Sequence, residues 1–166
     1  KESSAASDVY KRQDVKQWNV ALAFPELTEE QVYGVLQMDA LWERLSPLPG
    51  SQRVLKQLCD EGHNLYMVTA SDYRTSKAKF DRILALFPFL DARHIIITSH
   101  KQMVKGDILI DDGPHNLIGG EYFKILFDRP HNRAFDAASE GAVRASSWDD
   151  VYEFVQNYIV MKGDES

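Results

Sequence analysis

"IIITSHKQMVKGDILIDDGPHNL", residues 95–117, decides the fold. Two apolar runs inside it, "HIIIT" (94–98) and "DILID" (107–111), are bounded by polar and turn-forming residues, which predicts two short buried strands. Their hydrophobicity is continuous rather than alternating, as expected of strands covered on both faces in a parallel sheet. Upstream, "NLYMVTA" (64–70) reads the same way; downstream, "FKILFD" (123–128) follows a Gly-Gly pair. Helical patterns lie between and around these runs. "SQRVLKQLCDEG" (51–62) sets Val54, Leu55 and Leu58 on one face and stops at Gly62, a C-terminal helix signal. "SKAKFDRILALF" (76–87) repeats apolar residues at Phe80, Ile83, Leu84 and Phe87. The tail "SSWDDVYEFVQNYI" (146–159) opens with capping serines and carries a stripe of Val151, Phe154, Val155 and Tyr158. Strand–helix alternation of this kind predicts an α/β fold with a doubly wound parallel sheet.

Residues 14–46 have another texture. They are helical in pattern, with Thr28 and Gln31 spaced as a capping box, and they carry Trp18, Phe24, Tyr33 and Trp42. "PLPG" (47–50) punctuates their end. Two readings fit: a helical hairpin packed on the core, or a small cap module over a site.

Composition narrows the class. A chain of 166 residues with 44% hydrophobic content builds one sizeable core. A net charge of −6 lacks the basic field of non-specific nucleic-acid binding, so no nucleic-acid polymer is expected as partner. The single cysteine, Cys59, excludes an internal disulfide and lies on the apolar side of its helix pattern, as inert core. No run approaches the roughly 20 apolar residues of a membrane span, and no signal-peptide core is present. A cytoplasmic location and no membrane partner are the expectation.

Three strand ends carry chemistry. "VTAS" leaves the hydroxyls of Thr69 and Ser71 at the first, "ITSHK" brings Lys101 to the second, and "LIDDGPHN" sets Asp111 and Asp112 side by side at the third. Ligands of open α/β sheets bind at the carboxyl ends of strands, so these groups are expected on one rim. Singly, each has a plain reading: Thr69 as a turn cap, Lys101 as a solvated loop charge, Asp-Asp-Gly-Pro as a turn opener. Together they suit phosphoryl chemistry. Adjacent carboxylates repel unless a cation sits between them, and oxygen ligands beside phosphate favour Mg2+. An ammonium and a hydroxyl donate to phosphate oxygens. Response-regulator receivers use the same groups but place the paired acids early and the lysine last.

The order Thr, Lys, Asp-Asp resembles the haloacid dehalogenase (HAD) superfamily of phosphohydrolases, with motif II at Thr69, motif III at Lys101 and motif IV at Asp111–Asp112. The finer resemblance is to its 5'(3')-deoxyribonucleotidases (5'-nucleotidase, deoxy, pyrimidine, cytosolic type C), especially bacterial members. "PLPGSQRVLKQL", "YMVTAS", the 95–117 stretch and "ILFDRPHN" are similar to that family's segments in its order, over about residues 15–158. The resemblance implies a HAD-like Rossmannoid core at 47–162, a partial helical cap at 14–46 and a tail at 163–166. It implies an enzyme releasing phosphate from small-molecule (deoxy)nucleoside monophosphates with Mg2+, through an aspartyl-phosphate; it leaves a homodimer open. Catalytic residues would be Thr69, Lys101 and Asp111, with Thr69, Ser71 and Lys101 binding substrate and Asp112 ligating the metal. His131 and Asn132 lie near the site in the pattern; His131 reads as a satisfied loop histidine. A phosphatase for another small phosphate ester, or a non-catalytic nucleotide- or phosphate-binding protein, are the alternatives.

The family opens with a central strand ending Asp-x-Asp, the nucleophile and the general acid. Neither Asp8 nor Asp14 ends an apolar strand or is followed by a second aspartate. Upstream stands only "SSAASDVYKRQ" (3–13), which matches the translation of an adapter and transposon end used to fragment DNA for sequencing libraries. A non-native leader (1–13) joined to a truncated reading frame is the expectation, with the motif I strand missing and the chain inactive. A natural disordered leader is the alternative.

Overall fold

The computed structural model describes Lys16 and residues 18–163. The leader at 1–13, the first residues of the expected cap (Asp14 and Val15) and the last three of the tail lie outside the described residues.

Two parallel sheets share the five strands found among the described residues. β1 (Met67–Thr69) pairs with β2 (Ile95–Ile97), Thr69 opposite Ile97. β3 (Ile108–Asp111), β4 (Phe123–Phe127) and β5 (Ala142–Ala145) follow in that order in the second sheet, with Asp111 opposite Leu126 and Phe127 opposite Ala145. Parallel neighbours need crossovers, and the helical segments provide them. β4 shows the predicted two-sided burial: Ile125 and Phe127 join Val54, Leu58, Val151 and Val155 on one face, while Leu126 joins Leu117, Ala137 and Ala142 on the other. The strands fall into two sheets rather than the one expected, and the second carries helical segments on both faces, as the alternation of elements predicts.

β1 and β2 are less covered than their runs suggest. They span three residues each within the longer apolar stretches, all but Ile97 half-buried, and Ile97 is exposed. Among the described residues β1 pairs with β2 alone and β3 with β4 alone, so the inner edge of each sheet carries no ladder. The break is bridged by α3 (Ser51–Asp60), which sends Val54 and Leu58 into the second sheet's core and Leu55 into a third cluster with Phe87, Leu90 and Met67.

Local chemistry sets the helix ends. Gly50 enters α3 at φ 82°, where a β-carbon would also lie 3.4 Å from that of Trp148. Gly62, at φ 92°, closes it, with the His63 amide reaching back 3.0 Å to the Leu58 carbonyl. α4 (Ser76–Leu86) and α6 (Trp148–Gly163) lie where the periodicity predicts, and α5 (Pro114–Leu117) is a single turn after Asp-Asp-Gly. The described part of residues 14–46 is fragmented: a 3-10 turn at Val20–Ala23, α1 (Glu29–Gly34), a second 3-10 turn at Val35–Gln37 and α2 (Asp39–Glu43). The capping box forms, Gln31 N donating to Thr28 Oγ1 at 3.2 Å and Thr28 N to Gln31 Oε1 at 2.9 Å. This segment lies against α4, through Thr75 Oγ1 on the Leu36 carbonyl (3.2 Å) and Arg82 Nε on the Leu45 carbonyl (2.9 Å).

Candidate active site

At the carboxyl ends of the strands, Lys101 and Asp111 meet. Lys101 opens the 3-10 turn after β2 and Asp111 ends β3, so their 2.5 Å ion pair ties the rim of one sheet to the rim of the other. The Asp111 side chain is 4% exposed. Its second oxygen accepts from the Gly113 amide (2.7 Å) and from Asn116 Nδ2 (2.9 Å). Tyr122 steadies Asn116 in turn, its hydroxyl donating to the Asn116 carbonyl at 2.5 Å. Three donors thus engage both oxygens of one buried carboxyl.

Asp112 is placed differently. Its side chain is 47% exposed, while its carbonyl is clamped from the far side by the loop after β4. Asn132, almost wholly buried, donates to that carbonyl and to the Phe127 carbonyl, both at 2.8 Å. Asn132 Oδ1 accepts from the Arg129 amide (3.1 Å) and Arg144 Nη1 (2.9 Å). His131 Nε2 sits 3.1 Å from the same Asp112 carbonyl and 3.6 Å from its carboxylate. The histidine expected to be a satisfied loop residue is hydrogen-bonded as that reading implies, and it borders the acidic pair. Trp18 closes over this corner, edge-on to His115 (4.4 Å between ring centres) and His131 (5.4 Å).

Thr69 and Ser71 stand at the end of β1. Among the described residues their hydroxyls bond only within the turn, to the Ala70 carbonyl at 3.4 Å and the Asp72 carbonyl at 3.3 Å. No hydrogen bond joins them to Lys101 or Asp111. Beside this strand end lies a residue the sequence reading passed over. Lys79, in the second turn of α4, donates to the Ala70 carbonyl and rests 4.4 Å from the centre of the Trp42 ring. Burial, and then the charge of Lys101, pull its pKa down to about 8. Its signal in the sequence is slight, because a lysine on an amphipathic helix normally marks the solvated face.

The donor set suits a hard divalent cation beside phosphate. Asp111 is saturated by three donors, so Asp112, with its half-exposed carboxylate, is the residue that could hold one. Among the described residues no three His, Cys, Asp or Glu side chains gather into a protein cage. Mg2+ does not require one: it keeps several waters and takes one or two carboxylates plus substrate phosphate.

Comparison with known proteins supplies the family. The sequence profile of the family described as "5' nucleotidase, deoxy (Pyrimidine), cytosolic type C protein" matches residues 3–162. The chain is 37% identical over 125 residues to a 5'(3')-deoxyribonucleotidase of Bacillus subtilis, covering 75% of this chain and 70% of that protein. A 5'(3')-deoxyribonucleotidase of Clostridium acetobutylicum is 32% identical over 135 residues (81% and 72%). A putative 5'(3')-deoxyribonucleotidase of Staphylococcus epidermidis is 34% identical over 128 residues (76% and 69%). With its doubly wound, HAD-like core, the chain belongs to the cytosolic type C 5'(3')-deoxyribonucleotidase family, a family of 5'-nucleotidases that hydrolyse phosphoric monoesters.

Proposed function

We propose that this chain carries the phosphate-binding rim of a Mg2+-dependent phosphatase for (deoxy)nucleoside monophosphates. The observation that carries the reading is the buried Lys101–Asp111 pair beside a half-exposed Asp112: one carboxylate is fixed by three donors and the other, approached by His131 at 3.6 Å, is open to solvent. Asp112 is the metal ligand, its orientation set by the Asn132 and His131 contacts to its own carbonyl. Asp111 holds Lys101 so that the ammonium faces the phosphate, and Thr69 and Ser71 donate hydroxyl protons to phosphate oxygens. The bound Mg2+ supplies further positive charge to the phosphoryl oxygens. The helical segment before Pro47 acts as a partial cap over the rim, and the cytoplasm is the compartment we assign.

In the full-length parent an aspartate on a preceding strand attacks phosphorus. The P–O ester bond breaks, a second acid protonates the leaving oxygen, and water then hydrolyses the aspartyl-phosphate. Neither acid has a counterpart in this sequence, so the 166-residue chain by itself turns nothing over. Phosphate release from deoxyuridine monophosphate with Mg2+ tests this for the chain as given and for the longer reading frame at its genomic locus. Hydrolysis by the longer protein alone is expected. Turnover by the 166-residue chain would refute the motif assignment, and a longer frame without an Asp-x-Asp strand would favour a phosphate-binding protein instead.

A further inference from the structure

Tyr122 stands outside the rim and is tied to it by a chain of hydrogen bonds. Its ring packs on the cluster of Leu117, Leu126, Ala137 and Ala142 on one face of the second sheet. Its hydroxyl leaves that cluster and donates to the Asn116 carbonyl at 2.5 Å. Asn116 is 5% exposed, and its side-chain amide donates to Asp111 Oδ1 at 2.9 Å. Asp111 Oδ2 in turn holds the Lys101 ammonium at 2.5 Å. The carbonyl that Tyr122 reaches lies near the end of α5, a single turn of four residues. The last carbonyls of a helix lack partners in their own helix, and a turn this short is not stable by itself. The donor from Tyr122 fixes that turn, and with it the Asn116 side chain. The glycine pair before the tyrosine shows what the geometry requires. Gly119 takes a φ of 79°, and a β-carbon on Gly120 would lie 2.0 Å from the Tyr122 ring. The ring occupies space that any residue but glycine would fill. Packing on the sheet does not call for a hydroxyl; Phe135 joins the same cluster without one.

We propose that Tyr122 is a positioning residue of the phosphate site, holding Asp111 through Asn116 and thereby aiming the Lys101 ammonium. The inference rests on the phosphatase reading above and extends it to the loop before β4. Lys101 has a flexible stem, and its charged head is placed by one carboxylate. Without the Tyr122 hydroxyl the short turn loosens and Asn116 Nδ2 leaves Asp111 Oδ1. The Gly113 amide alone then holds that oxygen, the carboxylate turns, and the ammonium spends less time aimed at the phosphate. The cost falls on ligand affinity, because a donor held in place before binding gives up less freedom when the ligand arrives. Tyr122 acts through these residues and not on the ligand.

The test is a calorimetric titration of the intact 166-residue chain with inorganic phosphate in the presence of Mg2+, alongside urea unfolding of each variant. Tyr122→Phe, which keeps the ring and removes the hydroxyl, should weaken phosphate binding about fivefold and lower the urea midpoint. Gly120→Ala, whose β-carbon displaces the ring, should weaken binding at least as much. Tyr152→Phe, which removes a hydroxyl bonded to Glu61 (2.7 Å) on the exposed side of α6, should bind as the parent does. The deciding comparison is a cycle with Asn116→Ala, which cuts the link to Asp111 and keeps the carbonyl that Tyr122 reaches. In that background Tyr122→Phe should still lower the urea midpoint but change phosphate affinity by less than about twofold. Asn116→Leu, similar in size and without the amide, closes the same cycle should Asn116→Ala fold poorly. An equal affinity loss in both backgrounds makes the hydroxyl a structural group only and overturns the proposal. Parent-like affinity in Tyr122→Phe, with binding lost in Lys101→Met, overturns it too and leaves the phosphatase reading standing. A parent chain that binds no phosphate overturns both.

Discussion

Asp111 and Asp112 are chain neighbours with opposite fates, because a strand end turns successive side chains to different sides. One is buried against three donors, while the other keeps almost half its side-chain surface in water. Removing one partner of a buried pair leaves an uncompensated charge, so Asp111→Ala should cost about 3–5 kcal/mol in urea unfolding. Asp112→Ala, which leaves the clamped carbonyl in place, should stay within about 0.5 kcal/mol while weakening Mg2+ binding. The reverse order would exchange the two roles. Lys101 and the paired acids were legible in the sequence because each lies at or just beyond the end of an apolar run that reads as a strand. Lys79 and Asn132 were not. The one looks like any lysine on an amphipathic helix, and the other is buried only because the loop after β4 folds back on the turn after β3.

At the scale of elements, the four apolar runs announced β1 to β4, but "AVRA" did not announce β5. Arg144 interrupts the run, and its partners are all brought to it by the fold: Asp128 Oδ1 and Asn132 Oδ1 at 2.9 Å and the Phe135 carbonyl at 2.7 Å. Helix starts were more readable, since they depend on neighbours. α6 begins with a reciprocal box in which Asp150 N donates to Ser147 Oγ (3.1 Å) and Ser147 N to Asp150 Oδ2 (3.1 Å). Bonds from the Ser146 side chain first, then from its amide and from Ser147, hold Asp150 at a pKa of about 2, below its ordinary 3.8. A lowered carboxylate pKa stabilises the fold above the unfolded value and loses that contribution as pH falls through the folded one. Amide exchange in the first turn of α6 should therefore quicken between about pH 4 and about pH 2, ahead of the rest of the helix. Ser147→Ala should remove about 1 kcal/mol at neutral pH by urea unfolding; an unchanged midpoint would deny the box its role.

For the whole molecule, the α/β class and the order of chemistry along the rim were readable, whereas the division into two sheets follows from pairing that no local pattern encodes. β4 has a partner on both edges; β1 and β3 each have one among the described residues, and the sheets are joined through α3 and the Lys101–Asp111 pair. An unpaired edge opens at lower free energy than a doubly paired strand, so backbone amides of Met67–Thr69 should exchange well before those of Phe123–Phe127. If the catalytic aspartates arrive on a parallel strand that completes the sheet, the longer reading frame should slow exchange at β1 and β3 together. β5, on the outer edge, should be unchanged, and deoxyuridine monophosphate hydrolysis should appear in that same protein. Activity gained with β1 and β3 exchanging as before would place the new strand elsewhere, and the two sheets would then be a property of this fold rather than the imprint of a strand between them.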